Sequence, residues 1–460
     1  MQIRRKFLPR VAVAAVMLPL AGTSWAQEVI RQEDPAPASV EESKTVIEKS
    51  FTQPAPKETI IFPNLREQLK DTPAFLRDSQ IGVNFRSYYL DRNQNPGSHP
   101  EAWAAGGAIS FTSGWLLDTL QVGAVWYTSQ PIHAPDGRDG TLLLTQGQEG
   151  YSTLGQIYGK VKIIDDTNFL NLGRTTYDTP YINRNDNRMT PNTFEGYTWT
   201  GNEGLGQDMN IRYGGGYITK IKERNSATFN WMSKDAGANV EHGVGVGGAL
   251  FTYGEFSIGA VDYYSSDVIN IAYGETKYTA VDLPFGLQGL LAGQFVKQQS
   301  VGDDKLTGRS FSTDQLGLKA EVGLGAAIFT LAYSVAGSGN NLQNPWSGNP
   351  IYTGAMVQDV NRAGEQAILG KLSYDWSKLG LTGFTSYVLV AHGWTDAFTA
   401  GPKSIDETEV DFDVEWRPPW EALKGLSLRG RYGYIDIDQT TTHTINRETR
   451  VILNYNVLAF

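Results

Sequence analysis

The chain has 460 residues, of which 40% are hydrophobic and 19% are charged, and its formal net charge is −10. The absence of cysteine excludes a disulfide-stapled scaffold, a cysteine-ligated zinc site and a thiol nucleophile. The acidic balance argues against a nucleic-acid partner, because a protein that binds a duplex needs a basic face to neutralise phosphates.

The first 26 residues have the parts of a secretory signal peptide. A basic head precedes an apolar run over residues 11–21, and a small-x-small site ends at Ala26. A membrane-spanning helix needs about 20 apolar residues, so this run is too short to serve as an anchor. We expect cleavage after Ala26 and export of the mature chain.

Residues 27–75 form a second segment, in which prolines stand among mixed charges and aromatic residues are few. Such a stretch cannot bury enough apolar surface to offset the entropy lost on ordering. It is predicted to be an extended or partly disordered N-terminal extension, placed in the periplasm, with a short helix around residues 65–70.

From residue 76 to the end, the dominant hydrophobic period is two, which is typical of β-strands. Apolar Ile81, Val83 and Phe85 alternate with small or polar residues, and similar alternation returns over residues 120–126, 287–295, 368–376, 410–416 and 426–434. Short turns alternate with long polar segments at residues 130–151, 176–193 and 338–364.

This alternation alone fits both a soluble β-sandwich and a membrane barrel. Export, aromatic residues at strand ends, the alternation of short and long connections, and the terminal Phe460 favour the barrel. The length of residues 76–460 predicts roughly 16 to 20 strands, and a barrel of that size encloses an aqueous lumen.

Several segments resemble the OprD family of substrate-specific outer-membrane porins. FLRDS and NFRSYYLDR in residues 75–92 are similar to its opening strand, and LGRTTYDTPY with RMTPNTFEGY in residues 172–197 to its strand and third loop. GLSLRGRY and ETRVILNY, in residues 425–455, are similar to its closing hairpin. Asn454 and Asn456 depart from the family pattern because they interrupt the hydrophobic approach to the C-terminus.

The resemblance implies an all-β fold: a transmembrane antiparallel barrel of 18 strands with long extracellular loops, in the outer membrane of a Gram-negative bacterium. It also implies a third loop folded into the lumen as a constriction and a basic ladder that guides carboxylate-bearing solutes. The implied partners are outer-membrane lipid and lipopolysaccharide, small carboxylate solutes, and the barrel-assembly machinery through Phe460. A monomer or a loose trimer is expected, with no cofactor and no enzymatic activity.

An anion-selective pore needs cationic side chains along its wall. The ladder candidates are Arg86, Lys160, Lys162, Arg174, Arg212, Arg429, Arg431 and Arg450. Asp411, Asp413 and Glu415 are expected to face inward beside two of these arginines. An ordinary ion pair with a neighbouring acid is therefore the alternative for each arginine.

The constriction candidates lie in the predicted third loop, where aspartate and asparagine can form turns. They are Tyr177, Asp178, Tyr181, Arg184, Asp186 and Arg188, with Asn183 and Asn185 between them. The alternative is an exposed loop with solvated charges.

The five histidines are scattered without a metal-ligand spacing, so no metal site is expected. His392 with Asp396 is the local pairing that a hydrolase could use, and it falls in a predicted loop. The GxGxxG match over residues 243–248 runs into another strand, which argues against dinucleotide binding.

The sequence thus predicts a passive, substrate-selective outer-membrane channel for small carboxylate-bearing solutes such as organic acids and amino acids. A general diffusion porin, an outer-membrane hydrolase and a secreted soluble β-protein are the alternatives.

Overall fold

The computed structural model describes residues 59–164, 166–395 and 404–459. Eighteen long strands form one sheet in which each strand pairs antiparallel with the next, and the last strand pairs with the first. The sheet therefore closes on itself, which confirms the predicted 18-stranded barrel and leaves no open edge.

The barrel strands, in chain order, are β1 (Gln80–Asn95), β2 (Glu101–Thr112), β3 (Leu120–His133), β4 (Tyr151–Ile164), β5 (Asn168–Thr175), β6 (Thr193–Gly206), β7 (Met209–Lys222), β8 (Val244–Tyr253), β9 (Phe256–Ser265), β10 (Ile269–Leu283), β11 (Leu287–Gln299), β12 (Ser312–Leu324), β13 (Ala327–Ala336), β14 (Glu365–Asp375), β15 (Phe384–Thr395), β16 (Ile405–Trp416), β17 (Leu426–Gln439) and β18 (Thr442–Leu458).

The two faces of the barrel have opposite chemistry. On β16, Phe412 and Val414 point outward and are each 49% exposed, whereas Asp411 and Asp413 point inward and are 1% and 5% exposed. Apolar side chains outside and polar side chains inside are the pattern of a barrel embedded in lipid around a polar lumen. Among the described residues, no helix is both long and apolar enough to cross a membrane.

The two ends of the barrel differ in the length of their connections. At one end, residues 207–208, 254–255 and 325–326 form short turns. At the other, which we call the long-loop end, five long segments connect the strands: residues 134–150, 176–192, 223–243, 300–311 and 337–364. The segments over 134–150, 176–192 and 337–364 are close to those predicted from the sequence.

The N-terminal segment reaches the barrel at the short-turn end. A two-residue strand, Thr59–Ile60, pairs in parallel with the end of β18. Two short helices follow, α1 (Pro63–Leu69) and α2 (Ala74–Arg77), so the helix expected around residues 65–70 is present. The predicted signal peptide, residues 27–58 and Phe460 lie outside the described residues.

The seam between the first and last strands explains Asn454 and Asn456. In the register of β1 with β18, Asn454 lies opposite Arg86 and Asn456 lies opposite Asn84. Asn454 accepts a hydrogen bond from the Arg86 Nε at 2.7 Å, and Asn456 accepts one from the Asn84 amide at 2.7 Å. The two asparagines therefore lie on the inner face and join the seam across the lumen side.

If the apolar outer face lies in lipid, a charge placed on it should lower the stability of the barrel. Phe412→Arg places a charge on the lipid-facing surface within the span of β16 and should lower the free energy of unfolding in lipid by about 2–4 kcal/mol. Asp406→Arg, near the long-loop end of the same face, should change it by about 0–1 kcal/mol. Urea unfolding in lipid vesicles measures both values, and equal losses would contradict this membrane placement.

Candidate functional site

The third connection at the long-loop end, residues 176–192 between β5 and β6, is the predicted third loop, and it lies inside the barrel. Its Tyr181 is fully buried, and the ring packs edge-on against Tyr263 at 5.8 Å and Tyr273 at 6.3 Å between ring centres. The Tyr181 backbone N–H donates to the Tyr263 hydroxyl at 3.2 Å, and the Gln298 amide donates to the Tyr181 hydroxyl at 3.3 Å. The loop is thereby anchored to β9, β10 and β11.

A second anchor ties the same loop to β1. The Arg86 guanidinium donates to the two carboxylate oxygens of Asp186 at 2.6 and 3.1 Å, and also to the carbonyl oxygen of Arg188. Both side chains of the Arg86–Asp186 pair are buried, where a bidentate, charge-assisted pair fixes geometry well. Since β1 and β9–β11 are separate parts of the wall, the loop spans the lumen between them.

The other predicted loop residues pair mostly within the loop or with the adjacent wall. The Arg184 Nε donates to both oxygens of Asp178 at 2.8 Å. The ring of Tyr177 packs against Phe194 at 5.9 Å. These contacts hold the loop's own shape.

Arg188 is a different case, because it is buried and its partners are neutral. Its Nε donates to the Thr141 carbonyl oxygen at 2.9 Å, and an Nη donates to the Asn187 carbonyl oxygen at 2.8 Å. Burial, and then repulsion from Arg450, lowers the pKa of Arg188 to about 9. The guanidinium is thus still charged at neutral pH.

Several arginines point into the lumen from the wall formed by β16, β17, β18 and β1. Arg431 on β17 lies directly opposite Arg450 on β18 and Asp413 on β16. Asp413 forms ion pairs with Arg431 at 2.8 Å and with Arg429 at 2.9 Å. One carboxylate and two guanidinium groups together make a trio with a formal charge of +1.

Glu448 forms the second trio of this kind. It is fully buried and pairs with both Arg92 and Arg450. The Arg450 guanidinium also donates to the Met356 carbonyl oxygen at 3.1 Å. The two trios, Asp413 with its arginines and Glu448 with its arginines, are called the arginine trios below.

The remaining inward candidates lie on other strands. Lys160 on β4 is buried with its ammonium 4.1 Å from the centre of the Phe169 ring. Lys162 pairs with Asp118 at 2.6 Å near the short-turn end. Arg212 on β7 lies directly opposite buried Leu250 and so shares the inward face. These three residues are separate from the arginine trios.

Arg174 does not face the lumen, and its assignment to the ladder needs correction. It lies directly opposite Ile157, which is 51% exposed on the outer face. Its Nε pairs with Glu195 at 2.9 Å, and its guanidinium lies 4.3 Å from the centre of the Phe229 ring. Side chains alternate along a strand, so a residue two positions from outward Leu172 must also point outward.

The inward acids on β16 bind another loop, residues 337–364. The backbone N–H of Met356 donates to Asp411 at 3.0 Å, and those of Val357 and Gln358 donate to Glu409 at 2.8 Å. Farther along the strand, Glu415 pairs with Arg417 at 3.0 Å. These carboxylates therefore already have protein partners.

The third loop lies between two cavities. The larger, of about 700 Å³, opens toward the long-loop end and is lined by basic, acidic and amide side chains: Arg92, Arg188, Arg224, Arg450, Glu223, Asp235, Asp359, Asn183, Asn185 and Asn187. The smaller, of about 120 Å³, lies toward the short-turn end and is lined by residues 176–179 of the loop together with Gln121, Lys160 and Asn171.

Sequence reasoning missed several residues of this site. Glu407 and Glu409 extend the two-residue period of the predicted acids, and Glu448 lies two positions before Arg450, so the period could have found them. Arg92 is likewise in phase with Arg86. Arg224 lies at the start of a loop, where side chains follow no two-residue period, so the sequence pattern did not indicate it.

His392, predicted in a loop, lies in β15, where its ring stacks on Trp394 at 5.4 Å between ring centres. Its Nδ1 lies 3.0 Å from the Thr408 hydroxyl. Asp396, the proposed partner of His392, is outside the described residues. Residues 243–248 lead into β8, a strand, as predicted.

A closed 18-stranded barrel with an apolar outer face and a charged, loop-filled interior is the architecture of an outer-membrane channel. The family model for outer membrane porins of the OprD family matches residues 73–459, and the chain belongs to this family. It is therefore an outer-membrane protein of a Gram-negative bacterium, as predicted, and its family consists of channels.

Solved structures show the same fold at low sequence identity. They include Pseudomonas aeruginosa OccK9 (OpdG), at 22% identity and a TM-score of 0.74. A BenF-like porin from Pseudomonas fluorescens Pf-5 has 18% identity and a TM-score of 0.74, and Pseudomonas aeruginosa OpdK with vanillate has 18% and 0.70. Each match covers 84% of this chain and 100% of the other. No curated protein sequence matches this chain significantly.

The anchor of the third loop can be tested by Tyr181→Ala. Truncation of a large buried aromatic side chain typically costs about 3–5 kcal/mol, so the loop should lose its hold on β9–β11 and the single-channel conductance should rise. Tyr197→Ala, on the outer face, is the matched control and should conduct like the wild type. Unchanged conductance in Tyr181→Ala would show that the loop does not limit the current.

The larger cavity should respond to pH through Asp235, in the short helix α3 (Met232–Asp235). Burial, reinforced by Glu223, raises the pKa of Asp235 to about 7. The carboxyl group is mostly neutral below this pH and negative above it, so anion preference should fall as the pH rises through 7.

Reversal potentials in a salt gradient, measured about one pH unit below and above that value, test this expectation. Asp235→Asn should keep the low-pH selectivity at both values. A wild-type selectivity that does not change with pH, or that changes equally in Asp235→Asn, would contradict the assignment.

Proposed function

We propose that this porin is a passive, selective channel for small carboxylate-bearing solutes, including organic acids and amino acids. The observation that carries the proposal is the pair of arginines, Arg188 and Arg224, that line the larger cavity. Their hydrogen-bond partners are neutral: carbonyl oxygens for Arg188, and the Asn187 side-chain oxygen, at 2.7 Å, for Arg224. A carboxylate entering this cavity meets two guanidinium groups that form no ion pair with any carboxylate among the described residues.

The charge continues beyond the cavity. Arg450 lines the cavity and also lies directly opposite Arg431, so the two arginine trios are adjacent along the wall. A series of weak cationic sites lets an anion step from one to the next without being trapped. The third loop narrows the route beside this wall.

The acids of the cavity extend the solute class. Glu223, Asp235 and Asp359 lie among the arginines, so a solute that bears both a carboxylate and an amine can satisfy both sets of groups. This arrangement supports amino acids as well as simple organic acids. A solved structure with the same fold, OpdK, was determined with vanillate, which is a carboxylate.

The test is block of single-channel current in a planar bilayer by benzoate, glutamate or arginine. A hydrogen bond to a charged group contributes about 1.5–3 kcal/mol, so Arg224→Gln should raise the half-blocking concentration of an effective solute about tenfold. Arg188→Gln should act in the same direction, and Arg429→Gln with Arg431→Gln should lower anion preference.

Arg174→Gln is the matched control because Arg174 lies on the outer face, and it should block like the wild type. Equal block in the lumen variants and the control would refute the proposed sites. A wild-type channel that no solute blocks would indicate a general diffusion porin.

A further inference from the structure

The outer face of the first two hairpins brings together four metal-ligating side chains that the channel does not use. Asp91 on β1 lies directly opposite Glu101 on β2. His133, at the end of β3, lies opposite Trp103, two residues from Glu101, and His99 belongs to the connection between β1 and β2. We call Asp91, His99, Glu101 and His133 the rim cluster.

Three members of the rim cluster are close enough to share one metal ion, and His133 lies beside them. The His99 Nε2 lies 2.6 Å from an Asp91 oxygen, and the His133 Nε2 lies 4.0 Å from a Glu101 oxygen. Ligand atoms of Asp91, His99 and Glu101 all lie within 4.8 Å of one another. Tetrahedral zinc at about 2.0–2.1 Å from each ligand holds its ligand atoms about 3.3 Å apart. Asp91, His99 and Glu101 would close around the ion by side-chain rotation, and a further rotation of His133 would supply the fourth ligand.

Neighbouring groups hold these ligands in place. The Tyr89 hydroxyl donates to Glu101 at 3.1 Å, which is the kind of outer contact that orients a metal ligand. The Arg138 side chain donates to the His99 carbonyl oxygen at 3.4 Å, and the Arg92 N–H donates to the Pro100 carbonyl oxygen at 2.9 Å. His99 is thus fixed over the strands by its own short loop.

The donor set favours a transition metal. Two imidazoles and two carboxylates suit Zn²⁺, whereas Ca²⁺ and Mg²⁺ prefer oxygen ligands. We propose that the rim cluster is a Zn²⁺ site on the outer face of the barrel that clamps β1, β2 and β3 together. The proposal is independent of the solute that the channel carries.

A second group, Asp436, Asp438 and His443, offers an internal comparison. It contains one histidine, and its His443 and Asp436 side chains are more exposed than His99 and Asp91. A single imidazole with exposed acids should bind zinc far more weakly than the rim cluster. His443→Gln is therefore the matched control variant.

Isothermal titration of the detergent-purified full-length channel with ZnCl₂ tests the site. One ion should bind per chain. His99→Gln or His133→Gln should weaken binding by at least roughly 10–100-fold, the cost of losing a group that merely orients a metal ligand. The double variant should lose this binding altogether, while His443→Gln should retain it. Zinc should also raise the unfolding temperature of the wild type, because it binds the folded state.

The proposal is overturned if the wild-type protein does not bind zinc. It is also overturned if the double variant binds zinc with unchanged affinity, or if His443→Gln is the variant that loses zinc binding. Unchanged single-channel conductance shows that the histidine variants fold. Because the rim cluster faces away from the lumen, none of these outcomes depends on whether carboxylates block the channel.

Discussion

The inner wall of this barrel depends on carboxylates that are each shared by two arginines. Arg431 and Arg450 face each other directly on adjacent strands, an arrangement of like charges that destabilises a sheet when left alone. Asp413 and Glu448 supply the compensating charge. Because each acid serves two arginines, each trio keeps a formal charge of +1 while the like charges are held together, and the proposed function assigns this charge to the attraction of a solute.

The third loop follows from the asymmetry of the same lumen. One wall, around β1, is charged, and the facing wall, on β9 to β11, presents buried tyrosines. The loop matches both: Asp186 pairs with Arg86 on the charged side, and Tyr181 packs against Tyr263 and Tyr273 on the apolar side. The loop is thus held across the pore by an ion pair on one side and by aromatic packing on the other, and the two contacts together fix its position.

The two-residue period of the sequence was sufficient to predict the barrel and the inward direction of most ladder residues, because alternation along a strand is a local property. The ladder assignment is wrong for Arg174, because Arg174 shares the outward phase of Leu172 and lies opposite outward Ile157. Asn454 interrupts an apolar pattern in the sequence, and its role depends on the register with β1, which places it opposite Arg86. Arg224 could not be predicted, since its partner Asn187 comes from the third loop, which only tertiary structure brings beside it. His133 likewise reaches Glu101 only through the pairing of β2 with β3.

The proposed function requires the arginine trios to make the lumen positive although the whole chain carries a net charge of −10. The most direct test is the sign of the reversal potential of the wild-type channel in a potassium chloride gradient across a planar bilayer at neutral pH. The proposed function predicts a reversal potential shifted from zero toward the equilibrium potential of chloride, which means that anions pass more readily than cations. A reversal potential shifted toward the equilibrium potential of potassium would show that the acids of the lumen dominate its electrostatic field, and would contradict the proposed function.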